Sequence, residues 1–471
     1  MSASLIPNAD AAAQGKGPGL AAVLMVLFLA ATDGTIMATL LPTIADKLGE
    51  PELYPWLMSG FLLPLALIAP LSGALADRFG ALRVLVAGIL LFLFASAAAA
   101  LSPSLPWLIA ARVGQGAGAG MIIVLSYTLL AILYGPEERG RMQGILSGVW
   151  GLAAIFGPLV GAVLNATLGW RWIFWINLPV GVLGLILLSR TTASGKGRSG
   201  ASIDPKVQTL FAVAVFGVLL TLSDTSRSAA SHLGLAAGLA ALLAFLTLYI
   251  KVRRAPEHSP VPVGFFQQRE LSAVIALVLL SSAGLYASVT LLPFCMHENR
   301  GRNTLSIGFF VMVAALGWVV SSAICGNALK KYGYRQPALL GALMLVAGAC
   351  GLALTAVAGG TTSIALSELL IGLGLGAVAT TTLVLCQNAA PPFHIGSYTS
   401  TVQLLRNLGA AVGVNALAAV QFYGGSGADS FATSFTVLAC LLALGLPLAL
   451  LLPGNYDLRR TDLPKPIGSS Q

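Results

Sequence analysis

The chain has 471 residues, of which 57% are hydrophobic and 9% charged, with a formal net charge of +9. Its mean hydropathy of +0.87 excludes an ordinary soluble domain. The basic residues lie scattered in short gaps between apolar runs, so the positive balance does not indicate a nucleic-acid partner.

The first nineteen residues are small and polar with a single Lys, and no cleavable leader is expected, because the apolar run that follows is long enough to span and remain. Apolar runs then occur near 20–41, 55–76, 82–102, 106–133, 142–165, 171–190, 207–223, 233–252, 271–293, 305–329, 337–358, 361–387, 397–421 and 431–452. That makes fourteen predicted spans. The seventh is short for a bilayer that needs about 20 helical residues. With the N-terminus placed inside and the loops assigned alternately, nineteen of the 26 Lys and Arg fall on the inner side and five on the outer, Arg112 and Arg406 lying within spans. This bias puts both termini on the cytoplasmic side. The basic stretches 190–206 and 251–269 then share a side, so the seventh and eighth spans are kept or lost together, and twelve is the fallback count.

The predicted fold class is an all-α membrane protein. Its parts are a tail over 1–19, a six-span bundle over 20–190, a basic linker with two additional spans over 191–262, a second six-span bundle over 263–452, and a tail over 453–471. Between the second and third runs lies Gly73–Arg83, a turn too tight to leave a loop, holding Gly73, Asp77, Arg78, Gly80 and Arg83. Its glycines allow close backbone approach and a left-handed helix end. The spacing returns in Gly326–Arg335, where Gly326 and Gly333 match Gly73 and Gly80 and Lys330 stands in place of Asp77. Two copies about 253 residues apart, each between apolar runs, predict a duplicated bundle. Asp77 is expected to act as a conformational latch, holding the facing half through a helix N-terminus or a nearby Arg such as Arg141.

Ionisable groups inside spans are few, and each is a functional candidate, because a charge at mid-bilayer costs at least ~2.5–3.5 kcal/mol unless it faces a cavity or a partner. Asp33 lies roughly 12 Å below the outer end of its span and Arg112 roughly 9 Å below its own, by helical rise. They are predicted to meet, either as a proton-carrying carboxylate with its charge partner or as a fixed ion pair. Glu368 occupies the position in the second half that Arg112 holds in the first, as a candidate for a cationic substrate, a second proton, or a contact with a neighbouring helix. Gln403, Arg406 and Asn407 share one helical face, which lines a cavity or serves as interhelical glue. Gln115 and Tyr286 complete the candidate substrate cavity. Gly151, Gly157, Pro158 and Gly161 thread the fifth span, where small residues permit close packing and Pro158 removes a backbone hydrogen bond. Trp56, Trp107, Trp170, Trp172 and Trp175 fall at or near span ends and are expected to be interfacial anchors. The five cysteines lie within or beside apolar spans without a CxxC pair, so neither a disulfide nor a metal site is predicted.

Together these motifs resemble the major facilitator superfamily, in its fourteen-helix drug:proton antiporter branch. Gly73–Arg83 is similar to the signature between the second and third helices of that superfamily, and Ala110-Ala-Arg112-Val-Gly-Gln115-Gly116 to its fourth-helix proton-coupling motif. Gly151 to Gly161 is similar to the antiporter motif of the fifth helix. Asp33-Gly-Thr-Ile with Pro42 resembles the acidic first-helix motif of the branch, Trp170–Gly181 its entry to the sixth helix, and Gln403-Leu-Leu-Arg-Asn-Leu-Gly409 its penultimate helix. The chain departs from the pattern at Met37-Ala38, Phe61, Ala81-Leu82 and Ala162. The resemblance implies the major-facilitator fold and export of small amphipathic or cationic compounds in exchange for protons, by alternating access in a bacterial inner membrane. It implies Asp33 as the proton carrier, no cofactor beyond the proton, and a monomer whose partners are a small-molecule substrate and the lipid bilayer. A transporter of one metabolite, driven or passive, and a lipid-handling or regulatory membrane protein share the fold as alternatives. Nothing resembles a nucleotide loop or an enzyme centre.

Overall fold

The computed structural model describes residues 16–48, 55–191, 204–223, 232–255, 259, 261–262, 264–300, 304–355, 360–391, 393–423 and 428–456. The terminal tails beyond these limits and the linker Ser194–Ser202 lie outside the described residues. Seventeen helices carry the described chain. The first seven are α1 (Lys16–Leu48), α2 (Pro55–Phe79), α3 (Ala81–Ala100), α4 (Leu105–Leu133), α5 (Arg139–Thr167), α6 (Trp172–Trp175) and α7 (Asn177–Ser189). Then follow α8 (Pro205–Ser223), α9 (His232–Arg254), α10 (Gly264–Gln267), α11 (Arg269–Arg300), α12 (Thr304–Tyr332) and α13 (Arg335–Thr355). The last are α14 (Thr361–Ala389), α15 (Ile395–Tyr423), α16 (Ala428–Ala443) and α17 (Gly445–Leu450). Among the described residues, twelve helices are long and apolar enough to cross a membrane. Of the fourteen predicted runs, the two not among them are α8, whose apolar stretch is short, and α15, which carries Gln403, Arg406, Asn407 and Asn415. The predicted count is compatible with this arrangement.

The two halves pack by the same pattern. In the first, α1 lies on α5 and α7, while α4 is covered by α2 and α3; in the second, α11 lies on α15, while α14 is covered by α12 and α13. Glycines set matching crossings, because at these positions no room exists for a Cβ. One built on Gly116 would strike the Phe61 carbonyl, and one on Gly372 the Ala314 carbonyl. The turns predicted from the duplicated motif are also matched, Gly80 at φ 93° and Gly333 at φ 67°, backbone that L side chains rarely adopt.

The halves meet along α5 against α12 and α2 against α15. At the end that carries Arg83, Arg139 and Lys330, called here the basic end, backbones touch directly: Gly140 and Gly326 leave no space for a side chain on either. The inserted pair α8 and α9 pack on each other, and α8 reaches across α2 and α15, where Val215 joins Ala66 and Leu404 in a small apolar cluster. Outward faces stay apolar, with Phe94, Leu239 and Phe245 well exposed, as contact with hydrocarbon requires. Trp107 and Trp172 are exposed at helix ends, but Trp170 is only 2% exposed. The predicted anchoring role for Trp170 is therefore corrected: its ring packs edge-on to Phe174 and beneath the Arg171 guanidinium.

Candidate functional site: a central cavity and a buried carboxylate beside it

Asp33 lies in the middle of α1 and is 6% exposed. Arg112 of α4, fully buried, forms an ion pair with its Oδ2 through Nη1. Gln115, one turn further along α4, donates to Asp33 Oδ1 at 3.3 Å. Asn177 at the start of α7 donates to the same oxygen at 3.2 Å. Both amides also reach Ser96 of α3, at 2.8 Å and 3.2 Å. The Arg112 guanidinium sits 4.2 Å over the Phe61 ring and donates to the Leu57 carbonyl. An apolar bundle tolerates this charge because the carboxylate is paired and hydrogen-bonded on both oxygens. The predicted meeting of Asp33 and Arg112 is thus observed. Ser96 and Asn177 were not singled out in the sequence, since nothing marked which helical face they occupied.

Between the halves lies a cavity of about 770 Å³. Gly34, Thr35 and Phe61 form part of its first-half wall; Tyr286, Trp318, Gln403, Arg406, Asn407 and Asn415 contribute from the second. The polar face of α15 is therefore a cavity wall rather than interhelical glue. Asp33, Gln115 and Glu368 do not line the cavity; Gln115 belongs to the Asp33 network instead. Phe61 both lines the cavity and carries the Arg112 guanidinium over its ring.

Glu368 sits in α14, fully buried, where Ser288 of α11 donates to its Oε2 at 3.4 Å and its Oε1 has no partner. Residues 288 and 368 follow 33 and 112 by nearly the repeat spacing, so Ser288–Glu368 is the counterpart of Asp33–Arg112 with a different chemistry.

The cavity is sealed at the basic end. Asp77 accepts hydrogen bonds at 2.9 Å from the backbone amides of both Gly396 and Ser397, and another from the Ser397 hydroxyl. A carboxylate at the first amides of α15 is favoured by unsatisfied N–H groups and the helix dipole. Arg139 donates to the Gln387 carbonyl at 2.6 Å and to Asn388 Oδ1 at 2.7 Å, a cation at the end of α14. Of the two latch partners expected for Asp77, the helix N-terminus is the one present; Arg141, like Arg78 and Arg83, is exposed. In the second copy of the motif, Lys330 faces Glu137 at 3.8 Å with both side chains exposed, a far weaker tie. In α5, Gly151 meets Val319 of the other half, while Gly157 and Gly161 seat Thr35 and Ile36 of α1. Pro158 lies within the same helix.

Comparison with known proteins follows the geometry. A family model described as Major Facilitator Superfamily matches residues 23–414. The multidrug transporter protein MdtP of Bacillus subtilis is 28% identical over 402 residues, covering 85% of this chain and 74% of that protein. Multidrug resistance protein 3 of the same organism is 26% identical, covering 85% and 78%. A transporter of the acurin A biosynthesis cluster in Aspergillus aculeatus is 30% identical, covering 85% and 74%. Among solved structures, the human organic anion transporter MFSD10 superposes with a TM-score of 0.68 at 18% identity, covering 92% of this chain and 99% of that one. The proton:xylose symporter XylE superposes with a TM-score of 0.62 at 15% identity, covering 92% and 95%. Likeness at those identities concerns fold alone.

Proposed function

The chain belongs to the Major Facilitator Superfamily, and from that membership we propose that it exports small amphipathic compounds in exchange for protons by alternating access. The observation that carries this reading is the Asp33–Arg112 pair, a titratable carboxylate held inside one bundle beside the central cavity. While Asp33 is ionised, its partners tie α1 to α4, and Asn177 adds α7. A proton on Asp33 removes the charge that Arg112 answers and loosens α1 against α4. Since α1 also packs on α5, which crosses to the second half, that loosening has a route to the bundle interface. A ligand or proton shifts a conformational equilibrium only by its differential affinity for the two states, and the ion pair supplies such a difference. The curated bacterial relatives, named as multidrug proteins, favour export of varied compounds over uptake of one metabolite.

The positive-inside rule supports placing the basic end in the cytoplasm, and the ties at that end support reading this arrangement as outward-facing. Both termini then lie on the cytoplasmic side of a cell membrane, bacterial by this reading, and no cofactor other than the proton is required. The monomer is taken as the working unit.

The test is export from proteoliposomes driven by an imposed pH gradient. Wild type should move substrate faster as the gradient steepens, whereas Asp33→Asn should retain exchange without a gradient and lose the acceleration. Unchanged gradient dependence in Asp33→Asn would remove Asp33 from the coupling step.

A further inference from the structure

The wall of the central cavity carries one formal charge among the described residues, and it is positive. Arg406 lines the cavity, is 7% exposed, and belongs to neither of the ion pairs described above. Its titratable neighbours among the described residues include the hydroxyls of Tyr127 and Tyr286. Neither acid buried among the described residues answers it: Asp33 is paired with Arg112, and Glu368 does not line the space. A guanidinium is a planar fork of five N–H donors with no acceptor, so its complement is an acceptor, best an anionic one.

The unsatisfied polar atoms agree in kind. Three lining residues hold a buried nitrogen without a hydrogen-bond partner: Trp318 Nε1, Gln403 Nε2 and Arg406 Nη2. All three are N–H donors. Among the described residues, no lining residue has a buried oxygen left without a partner. Buried donors without acceptors are costly and uncommon in a finished fold, and three of them grouped on one cavity wall favour an acceptor group over a donor or a cation beside them. Apart from Thr35, Asn407 and Asn415, the remainder of the wall is apolar and aromatic, with Trp150 beside Trp318 at 6.2 Å between ring centroids.

We propose that the cargo of this cavity is an amphipathic organic anion, with its acid group held by Arg406, Gln403 and Trp318 and its apolar body lying against the aromatic wall. This names the substrate class of the transport reading above and rests on it. A guanidinium offers paired donors to a carboxylate or sulfonate, and that bond is strong where water is excluded. A cation in the same place meets like charge and three donors it cannot satisfy. Charge movement follows as well: a monoanion leaving against one entering proton carries two charges inward, whereas a monocation would carry none.

Three probes with one ring system separate charge from size: 2-naphthoate, 2-naphthamide and 2-naphthylmethylammonium. Calorimetric titration of the full chain in lipid nanodiscs should give 2-naphthoate the tightest binding, about tenfold or more beyond the other two, as a charge-assisted contact implies. Arg406→Gln should abolish that advantage, bringing 2-naphthoate to the affinity of 2-naphthamide or below it, and Arg406→Lys should retain part of it. Equal or tighter binding of the ammonium probe by wild type overturns the proposal even if Arg406→Gln fails to fold. An intact preference for 2-naphthoate in folded Arg406→Gln overturns it too. Proteoliposome flux distinguishes the two readings: export of the ammonium probe in preference to 2-naphthoate sinks this inference and leaves transport standing, whereas binding of 2-naphthoate with no flux of any probe sinks the transport reading.

Discussion

The Asp77 carboxylate of α2 and the Ser397 backbone amide of α15 lie 2.9 Å apart across the boundary between the two halves. With the Gly396 amide and the Ser397 hydroxyl, this makes one side chain the acceptor of three hydrogen bonds from the opposite bundle. The duplicated position, Lys330, reaches only the exposed Glu137. Closure at the basic end is therefore tied more firmly on one side of the interface than on the other.

Asp77→Asn should weaken that closure. Hydrogen bonds to a charged group are worth about 1.5–3 kcal/mol each, so losing one shifts the two-state balance by roughly ten- to a hundredfold. Transport should slow by a comparable factor, while 2-naphthoate affinity changes by about twofold or less. Titration and flux on the same preparation check this; lost binding in a well-expressed variant would refute the latch.

Gly326→Ala should act through packing rather than charge. Its new Cβ would run into the Gly140 backbone, and overpacking of this kind costs about 1–3 kcal/mol. Spin labels at Phe79→Cys and Tyr332→Cys, both half-exposed at the basic end, should report longer separations in the Gly326→Ala background. An unchanged distance distribution would show that the crossing yields without opening.

Asn177→Ala removes one donor from Asp33 and one from Ser96. Gradient-driven export should fall by about tenfold, the scale of one hydrogen bond to a charged group, while exchange without a gradient persists. Equal loss of both activities would mean that Asn177 only holds α7 in place.

Glu368→Gln should be mild in binding. Its carboxyl has a single partner and lies off the cavity wall, so 2-naphthoate affinity should stay within about twofold and the melting temperature should not fall. Glu368→Lys should fail to accumulate, as it leaves an unanswered cation in the same place. Loss of 2-naphthoate binding in folded Glu368→Gln would return Glu368 to the substrate site.

Much of this was readable from residue order, for definite reasons. The turns at Gly80 and Gly333 follow from a repeated spacing that suits a tight, positive-φ helix end, and the Asp33–Arg112 meeting follows from similar depth. The face of Gln403, Arg406 and Asn407 follows from helical periodicity, although periodicity left open whether a cavity or a neighbouring helix faced it. Other features were hidden. Ser96 and Asn177 are single neutral polar residues in apolar helices, and their role appears only when α3, α4 and α7 converge on α1. Gln115 shares a helix with many small residues, and its rotation toward Asp33 rather than the cavity is a packing outcome. Trp170 looked interfacial from its place in the chain, but Phe174 and Arg171 enclose it.

Trp150 belongs to α5 and Trp318 to α12, and their rings stand 6.2 Å apart on the cavity wall. One indole N–H is engaged by the Tyr127 hydroxyl, and the other is unengaged. Two indoles this close couple their electronic transitions, and the coupling fades steeply as they separate. The pair is thus a native optical gauge of the distance between α5 and α12. On the proposed cycle, each passage between states should register in the near-ultraviolet circular dichroism of unlabelled protein.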